Sequence, residues 1–300
     1  CIRDRETGHY VLAMAAATSF LIAGKFGVQA ASSRLVSEHE TEAGLWIRAG
    51  LWVRSLFTLP TALVALLAAP FLARAIDGPA LVPAFWWVAP VLLTASYYEL
   101  SGEILVGLRA YPRLFVARMI FLALRLAAVF WVREAALGAA AFLAGHAAAQ
   151  GLTALWLSGG LLRGHRGAFD AEARRRARRR TLEVSLPLAL SSASFLVYAQ
   201  MDKLMVGWLR DAAVAGDFGV ARTVLDAALF PTFALGWSLR PELVQARARG
   251  DAAQVRRHLA EGLRWSSIYA FGATALILVL GPPLLLALFQ EDFAAAADLL

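Results

Sequence analysis

Six basic side chains, Lys25, Arg54, Arg118, Arg125, Lys203 and Arg222, stand within stretches of sequence apolar enough to cross a membrane. A cation at the bilayer centre costs about 2.5–3.5 kcal/mol on insertion scales, so each needs a wet cavity, an opposite charge or an anionic ligand. Lys25, Arg54 and Arg118 lie within about 12 Å of the cytoplasmic ends of their spans, near enough for the head group to snorkel to the interface. Arg125 and Arg222 lie deeper. Four carboxylates accompany them. Asp226 follows Arg222 by four positions and shares its helix face, the spacing of an ion pair. Glu99 and Glu103 repeat that spacing near the inner end of the third span, and Asp202 adjoins Lys203 near the outer end of the sixth. A carboxylate at depth finds a cation or takes up a proton. Asp226, Glu99, Glu103 and Asp202 are therefore candidates for charge pairing, or for coupling to H+ or Na+. His146 and Gln150 share a face of the fifth span, where a helix–helix hydrogen bond is their simplest use.

Other chemistry finds little footing. His9, His39, His146, His165 and His258 are scattered without metal-ligand spacing. The single cysteine, Cys1, excludes a disulfide framework and a cysteine metal cage. Neither a nucleophile–base constellation nor a phosphate-cradling glycine loop is present. No catalytic residue, metal site or cofactor is expected.

The elements that position these groups follow from composition. Of 300 residues, 59% are hydrophobic and 17% charged, against roughly 25% charged in an ordinary soluble domain, so the bulk of the chain sits in lipid. A span needs about 20 mainly apolar residues and must be helical to satisfy its backbone. Eight stretches qualify, near His9–Ala31, Trp46–Ala69, Val82–Leu105, Leu114–Val132, Ala135–Leu157, Glu183–Leu209, Ala213–Leu239 and Leu263–Phe289. The fold class expected is all-α, a polytopic transmembrane helix bundle. The first span lacks the layout of a signal peptide.

The net charge of +7 is distributed by side. The gaps after spans one, three, five and seven, counted with Arg48 and Arg264 at the edges of the spans that follow, hold 18 arginines; the other gaps hold Arg74, Arg133 and Arg210, with Glu291 and Asp292 after the last span. Basic residues are retained in cytoplasmic loops, so segments 32–45, 106–113, 158–182 and 240–262 are expected in the cytoplasm. Arg3 and Arg5 fall on the outer side and are exceptions, which a short outer hairpin with a preceding span would accommodate. The chain opens on Cys1 and stops at Asp298-Leu299-Leu300 without a polar tail, and reads as an internal segment of a longer protein.

The longest gap carries Arg174, Arg175, Arg176, Arg178, Arg179 and Arg180 and separates five spans from three. It reads as a seam, with residues 1–160 as an N-terminal lobe lacking its first helix, 161–182 as an arginine-rich cytoplasmic loop and 183–300 as part of a C-terminal lobe. The tract is expected to anchor topology and contact anionic lipid headgroups. No aromatic residue is interleaved to suggest nucleic acid, and Glu38, Glu40 and Glu42 offer opposite charge. An internal echo supports two lobes: Gly8, Tyr10 and Ala13 match Gly216, Phe218 and Ala221, and Gly50, Leu51 and Pro70 match Gly262, Leu263 and Pro282. Parallel repeats of this kind are a transporter trait. Gly24, Gly27, Pro60, Pro90, Pro187, Pro231 and Gly236 are expected to interrupt their spans. Pro231, five residues beyond Asp226, would free a carbonyl and bend its helix around a cavity.

The stretch Asp202-Lys203-Leu204-Met205-Val206-Gly207, followed by Ala215-Gly216-Asp217-Phe218-Gly219-Val220-Ala221-Arg222, resembles the seventh and eighth helices of polysaccharide-biosynthesis flippases of the Wzx type. Leu239-Arg240-Pro241-Glu242-Leu243 is similar to that family's helix end before a basic amphipathic loop. Leu288-Phe289-Gln290-Glu291-Asp292-Phe293-Ala294 resembles its segment before the tenth helix, and Glu6-Thr7-Gly8-His9-Tyr10 its turn into the second. Phe218 stands where Tyr is usual in the family and Gln290 where Gly is usual.

The resemblance implies helices two to nine of a two-lobe transporter of the multidrug/oligosaccharidyl-lipid/polysaccharide (MOP) exporter superfamily, set in a bacterial cytoplasmic membrane. It implies a flippase that moves a lipid-linked oligosaccharide, on a polyprenyl diphosphate carrier, to the outer leaflet by alternating access. Arginine suits such an anionic carrier. Arg222, Arg125, Arg54 and Lys25 are expected to line a cationic cavity, and Asp226, Asp202, Lys203, Glu99 and Glu103 to pair charges or couple an ion. A drug or cation antiporter of the MATE kind is the alternative, and would favour a cavity of net carboxylate character. A membrane glycan polymerase or ligase would normally need a larger outer loop than any found here. Orientation is open to direct test. A cysteine placed at His165 in a protein lacking Cys1 should react with a membrane-impermeant maleimide in inside-out vesicles only, and labelling in right-side-out vesicles would reverse the topology.

Overall fold

The computed structural model describes residues 4–135, 137–248 and 250–289. The readings above that fall on Cys1, Arg3, Arg249 and the stretch from Gln290 onward lie outside the described residues. Among the described residues every regular element is a helix: α1 Asp4–Lys25, α2 Val28–Glu38, α3 Ala43–Asp77, α4 Val82–Phe85, α5 Val88–Gly107, α6 Tyr111–Glu134, α7 Ala139–Gly164, α8 Ala171–Leu209, α9 Ala212–Ala248 and α10 Ala252–Phe289, with short 3-10 turns at Glu40–Glu42 and Pro79–Leu81. The chain divides into two compact units, Cys1–Gly216 and Asp217–Leu300.

Each expected span is represented by a helix or a helix pair. Among the described residues, Glu40–Ile76, Pro79–Gly107, Tyr111–Glu134 and Ala252–Gly281 are long and apolar enough to cross a membrane. The protein is a multi-pass membrane protein. Helix α7 carries two polar side chains, His146 and Gln150, on the face it buries within the first unit.

The loops expected at 158–182 and 240–262 are mostly helix. Only residues 165–170 separate α7 from α8, and the arginine tract lies in the first turns of α8. Asp170 starts that helix, its carboxylate accepting from the Ala173 N–H at 2.5 Å, and Glu172 adds negative charge at the positive end of the helix dipole. The arginines follow as good helix formers. Helix α7 is capped from another element: Glu6 of α1 accepts from the Ala139 N–H at 2.7 Å.

Proline interrupts less than expected. Helices α3, α8 and α9 run through Pro60, Pro70, Pro187 and Pro231. At Pro90 the outcome differs, because a continuous helix would press the ring onto the Trp86 carbonyl. The chain turns at Trp86-Trp87, between α4 and α5. The other break is at Phe26-Gly27, where φ is 43° and 68°. Gly27 is required twice over, by that left-handed backbone and by the Ser185 carbonyl of α8, which stands where a Cβ would go.

Helix α3 packs in the sense typical of membranes, small residues inward and large ones outward. Ala62, Ala65, Ala69 and Ala73 are buried, while Leu56, Leu59, Leu63 and Leu67 are exposed. Lipid is as apolar as leucine, so close backbone approach across small residues contributes more than burial of leucine does. Two apolar clusters form the interior of the first unit. One includes Leu21, Ala62, Ala95 and Ala147; the other includes Val28, Val53, Tyr98 and Ala154.

Substituting Gly27→Val should cost about 1–3 kcal/mol through strain alone, with more from the clash at Ser185. The expected outcome is a clearly lowered melting temperature in detergent, and an unchanged one would contradict the left-handed break.

Candidate functional site

Three helices, α3, α5 and α7, pass from the first apolar cluster to the second, and α1 ends between the two; polar residues stand at the crossing on each: Lys25 on α1, Arg54 and Thr58 on α3, Ser96 on α5, and Gln150 and Thr153 on α7. The layer coincides with the break at Phe26-Gly27. A helix that ends there leaves carbonyls without intrahelical partners, and inside a membrane each must find a donor.

Arg54 supplies one. Its Nη1 donates to the Gly24 carbonyl at 3.5 Å and its Nη2 to the Ser96 carbonyl at 3.3 Å. The residue is fully buried, and its Nε has no hydrogen-bond partner among the described residues. Arg54, expected to line a cavity or to snorkel, is enclosed here at the break, against two backbone carbonyls. Beside it, the Thr58 and Ser96 hydroxyls lie 2.7 Å apart, and the Ser55 hydroxyl and the Tyr97 phenol 2.8 Å apart.

Glu99 is the acidic centre of the layer. Lys25 Nζ lies 2.7 Å from its Oε2, with side chains 21% and 31% exposed, and Gln29 Nε2 donates to the same oxygen at 2.8 Å. The two ends of the broken helix thus converge on one carboxylate, Lys25 from the end of α1 and Gln29 from the start of α2. Glu103, one turn further on α5, is exposed. On α7, Gln150 accepts from the Thr94 hydroxyl of α5 at 3.2 Å. His146 is buried with its ring edge-on to Phe121.

Helix α6 contributes two cations on one face, seven residues apart. Arg118 Nη1 donates to the Tyr98 phenol at 3.2 Å, its guanidinium 4.9 Å from the centre of that ring. Arg125 Nη2 donates to the Tyr10 phenol at 3.3 Å. Neither pairs with a carboxylate among the described residues. A phenol orients a guanidinium without neutralising it, and most of the five N–H donors stay open to an anion.

In the second unit, Arg222 Nε bonds Asp226 Oδ1 at 3.0 Å, the expected i,i+4 pair. Asp202 in the first unit accepts from the Lys203 backbone N–H at 2.8 Å. The structure therefore joins Lys25 to Glu99 and Arg222 to Asp226, and places Arg125 against a tyrosine. Sequence reading missed Gln29, Thr58, Ser96, Tyr10 and Tyr98. One signal was available: Arg54, Thr58 and Thr61 recur at i, i+4 and i+7, a polar stripe along an otherwise apolar helix.

A helical bundle with small residues packed inward, leucines outward and a polar layer across its interior is a polytopic helical membrane protein. Its fold matches an inward-facing structure of a multidrug resistance MATE family transporter of the MOP superfamily, with a TM-score of 0.73 at 14% identity, over 98% of this chain and 73% of that one. The chain belongs to the polysaccharide biosynthesis protein family, whose profile matches residues 1–234. No curated protein matches it.

Replacing Arg54 by Leu should strand the Gly24 carbonyl, at about 1–3 kcal/mol for a buried group left unsatisfied, since the Ser96 carbonyl lies within α5 and keeps its helical bond. Replacing Glu99 by Gln should leave Lys25 without its counter-charge, and is expected to cost less because the pair is partly exposed. Thermal unfolding in detergent would order the two; Glu99→Gln proving the more damaging would make the ion pair, and not the cap, the main support of the break.

Proposed function

We propose that the protein is a flippase of a bacterial cytoplasmic membrane, carrying a lipid-linked oligosaccharide from the inner to the outer leaflet by alternating access. The observation that carries this reading is the pair Arg118 and Arg125, one helix face bearing two cations held by phenols. A polyprenyl diphosphate presents several anionic oxygens, and guanidinium groups bind such oxygens through paired N–H donors. At about 1.5 Å per residue the two lie roughly 10 Å apart along the helix, a spacing that suits stepwise passage. In this reading Arg118, Arg125 and Lys25 contact the anion in the first unit and Arg222 contacts it in the second, while Arg54 holds the break at Gly24. Asp226, Asp202, Lys203, Glu99 and Glu103 balance charge, with H+ or Na+ as the coupling ion. Residues 1–160 and 183–300 belong to two lobes, joined through 161–182.

Family membership and the MATE-like fold support transport in polysaccharide synthesis. A cation exporter would instead call for a carboxylate free to bind cargo, and Glu99 is already occupied by Lys25 and Gln29.

In proteoliposomes carrying a fluorescent lipid-linked oligosaccharide, Arg125→Gln and Arg222→Gln should each slow translocation at least tenfold, while Arg257→Gln, an exposed residue paired with Glu261 at 3.0 Å, should not. Full activity of both variants in well-folded protein would refute the cationic path, and transport of organic cations without lipid translocation would favour the antiporter.

A further inference from the structure

Away from the polar layer, a groove in the first unit lies between α3 and the first turns of α8. Arg174, Arg175, Arg178, Arg179 and Leu182 line it on one side and Trp52 on the other. The α8 residues recur at helical spacing and so share a face, while Ala177, Thr181 and Ser185 of the same helix are buried. The neighbouring arginines have carboxylate partners: Arg176 bonds Glu172 at 3.0 Å, and Arg179 and Arg180 share Glu183 at 3.0 and 3.5 Å. Among the described residues, Arg175 and Arg178 pair with no carboxylate. Arg178 lies over the Trp52 indole, 4.4 Å from the ring centre. Stacking holds the guanidinium plane in place and leaves its in-plane N–H donors available to an anion.

The lipid-facing surface begins at the same tryptophan. Trp52 is 40% exposed and heads the outward stripe Leu56, Leu59, Leu63 and Leu67 along α3. Tryptophan concentrates at headgroup level. A ligand with its anion among the arginines would lay its apolar part along that stripe, which a soluble anion cannot do.

We propose that this groove is a binding site for an anionic phospholipid of the inner leaflet, its phosphate held by Arg175 and Arg178 and its acyl chains lying along the leucine stripe of α3. The site is separate from the transport path and stands whatever the cargo.

Native mass spectrometry of the full chain in neutral detergent tests this, with phosphatidylglycerol, phosphatidylcholine, inorganic phosphate and a polyprenyl diphosphate as probes. Phosphatidylglycerol should bind about tenfold more tightly than phosphatidylcholine, and the double substitution R175Q/R178Q should remove about that factor. Trp52→Leu should weaken binding several-fold, and R256Q/R257Q on α10 should leave it unchanged. If R175Q/R178Q does not fold, R175K/R178K keeps the charge but loses the planar fork, and should still bind several-fold more weakly. Three results would overturn the proposal: equal binding of the two phospholipids, phosphatidylglycerol binding untouched by every groove substitution, or displacement of bound phosphatidylglycerol by inorganic phosphate or the polyprenyl diphosphate at equal concentration.

Discussion

The carbonyls left open where α1 ends have to find donors inside a protein that sits in lipid, and the first unit is arranged around that need. Arg54 donates to Gly24 and to Ser96, which ties the end of α1 to α3 and α5. A charged donor forms stronger hydrogen bonds than a hydroxyl would. It also brings a full positive charge into a closed interior. Glu99 sits in the same layer, held by the residues on either side of the break. Break, cation and carboxylate are therefore one system, and the polar residues of α5 and α7 extend it across the unit.

That layer divides the interior, and the division has a physical use. Apolar contacts in a membrane specify geometry weakly, because lipid offers much the same contacts as protein. Small residues set how closely helices approach, and polar contacts set their register. The alanine face of α3 does the first. The Thr58–Ser96 contact and the Arg54 cap do the second, fixing α3 against α5 at one level. Helix α6 is largely exposed along its length. Its two arginines reach tyrosines on α5 and α1, so it can present charge without adding to the support of the break.

Much of this architecture was legible in the sequence. The apolar stretches became helices at the expected places, and Arg222 with Asp226 formed the pair their spacing implied. The extent of the helices was less legible: α8 and α9 continue well past the apolar residues, since arginine and alanine sustain a helix in water as well as in lipid. Proline misled in the other direction. A long helix can lose one backbone bond and continue, whereas a left-handed backbone at Gly27 cannot be absorbed.

By itself, the sequence determined that this is an all-helical, multi-pass membrane protein with an excess of cations within its spans, because span length, charge spacing and i,i+4 pairing are local properties of the chain. Only the tertiary structure decided what each cation does. Arg54, Arg118 and Arg125 look alike in sequence, each an arginine in an apolar helix. One is enclosed against backbone carbonyls, and two rest on phenols with donors to spare. The difference lies in what neighbouring helices bring to each guanidinium, and such neighbours, 20 to 115 residues away along the chain, leave no trace in local spacing.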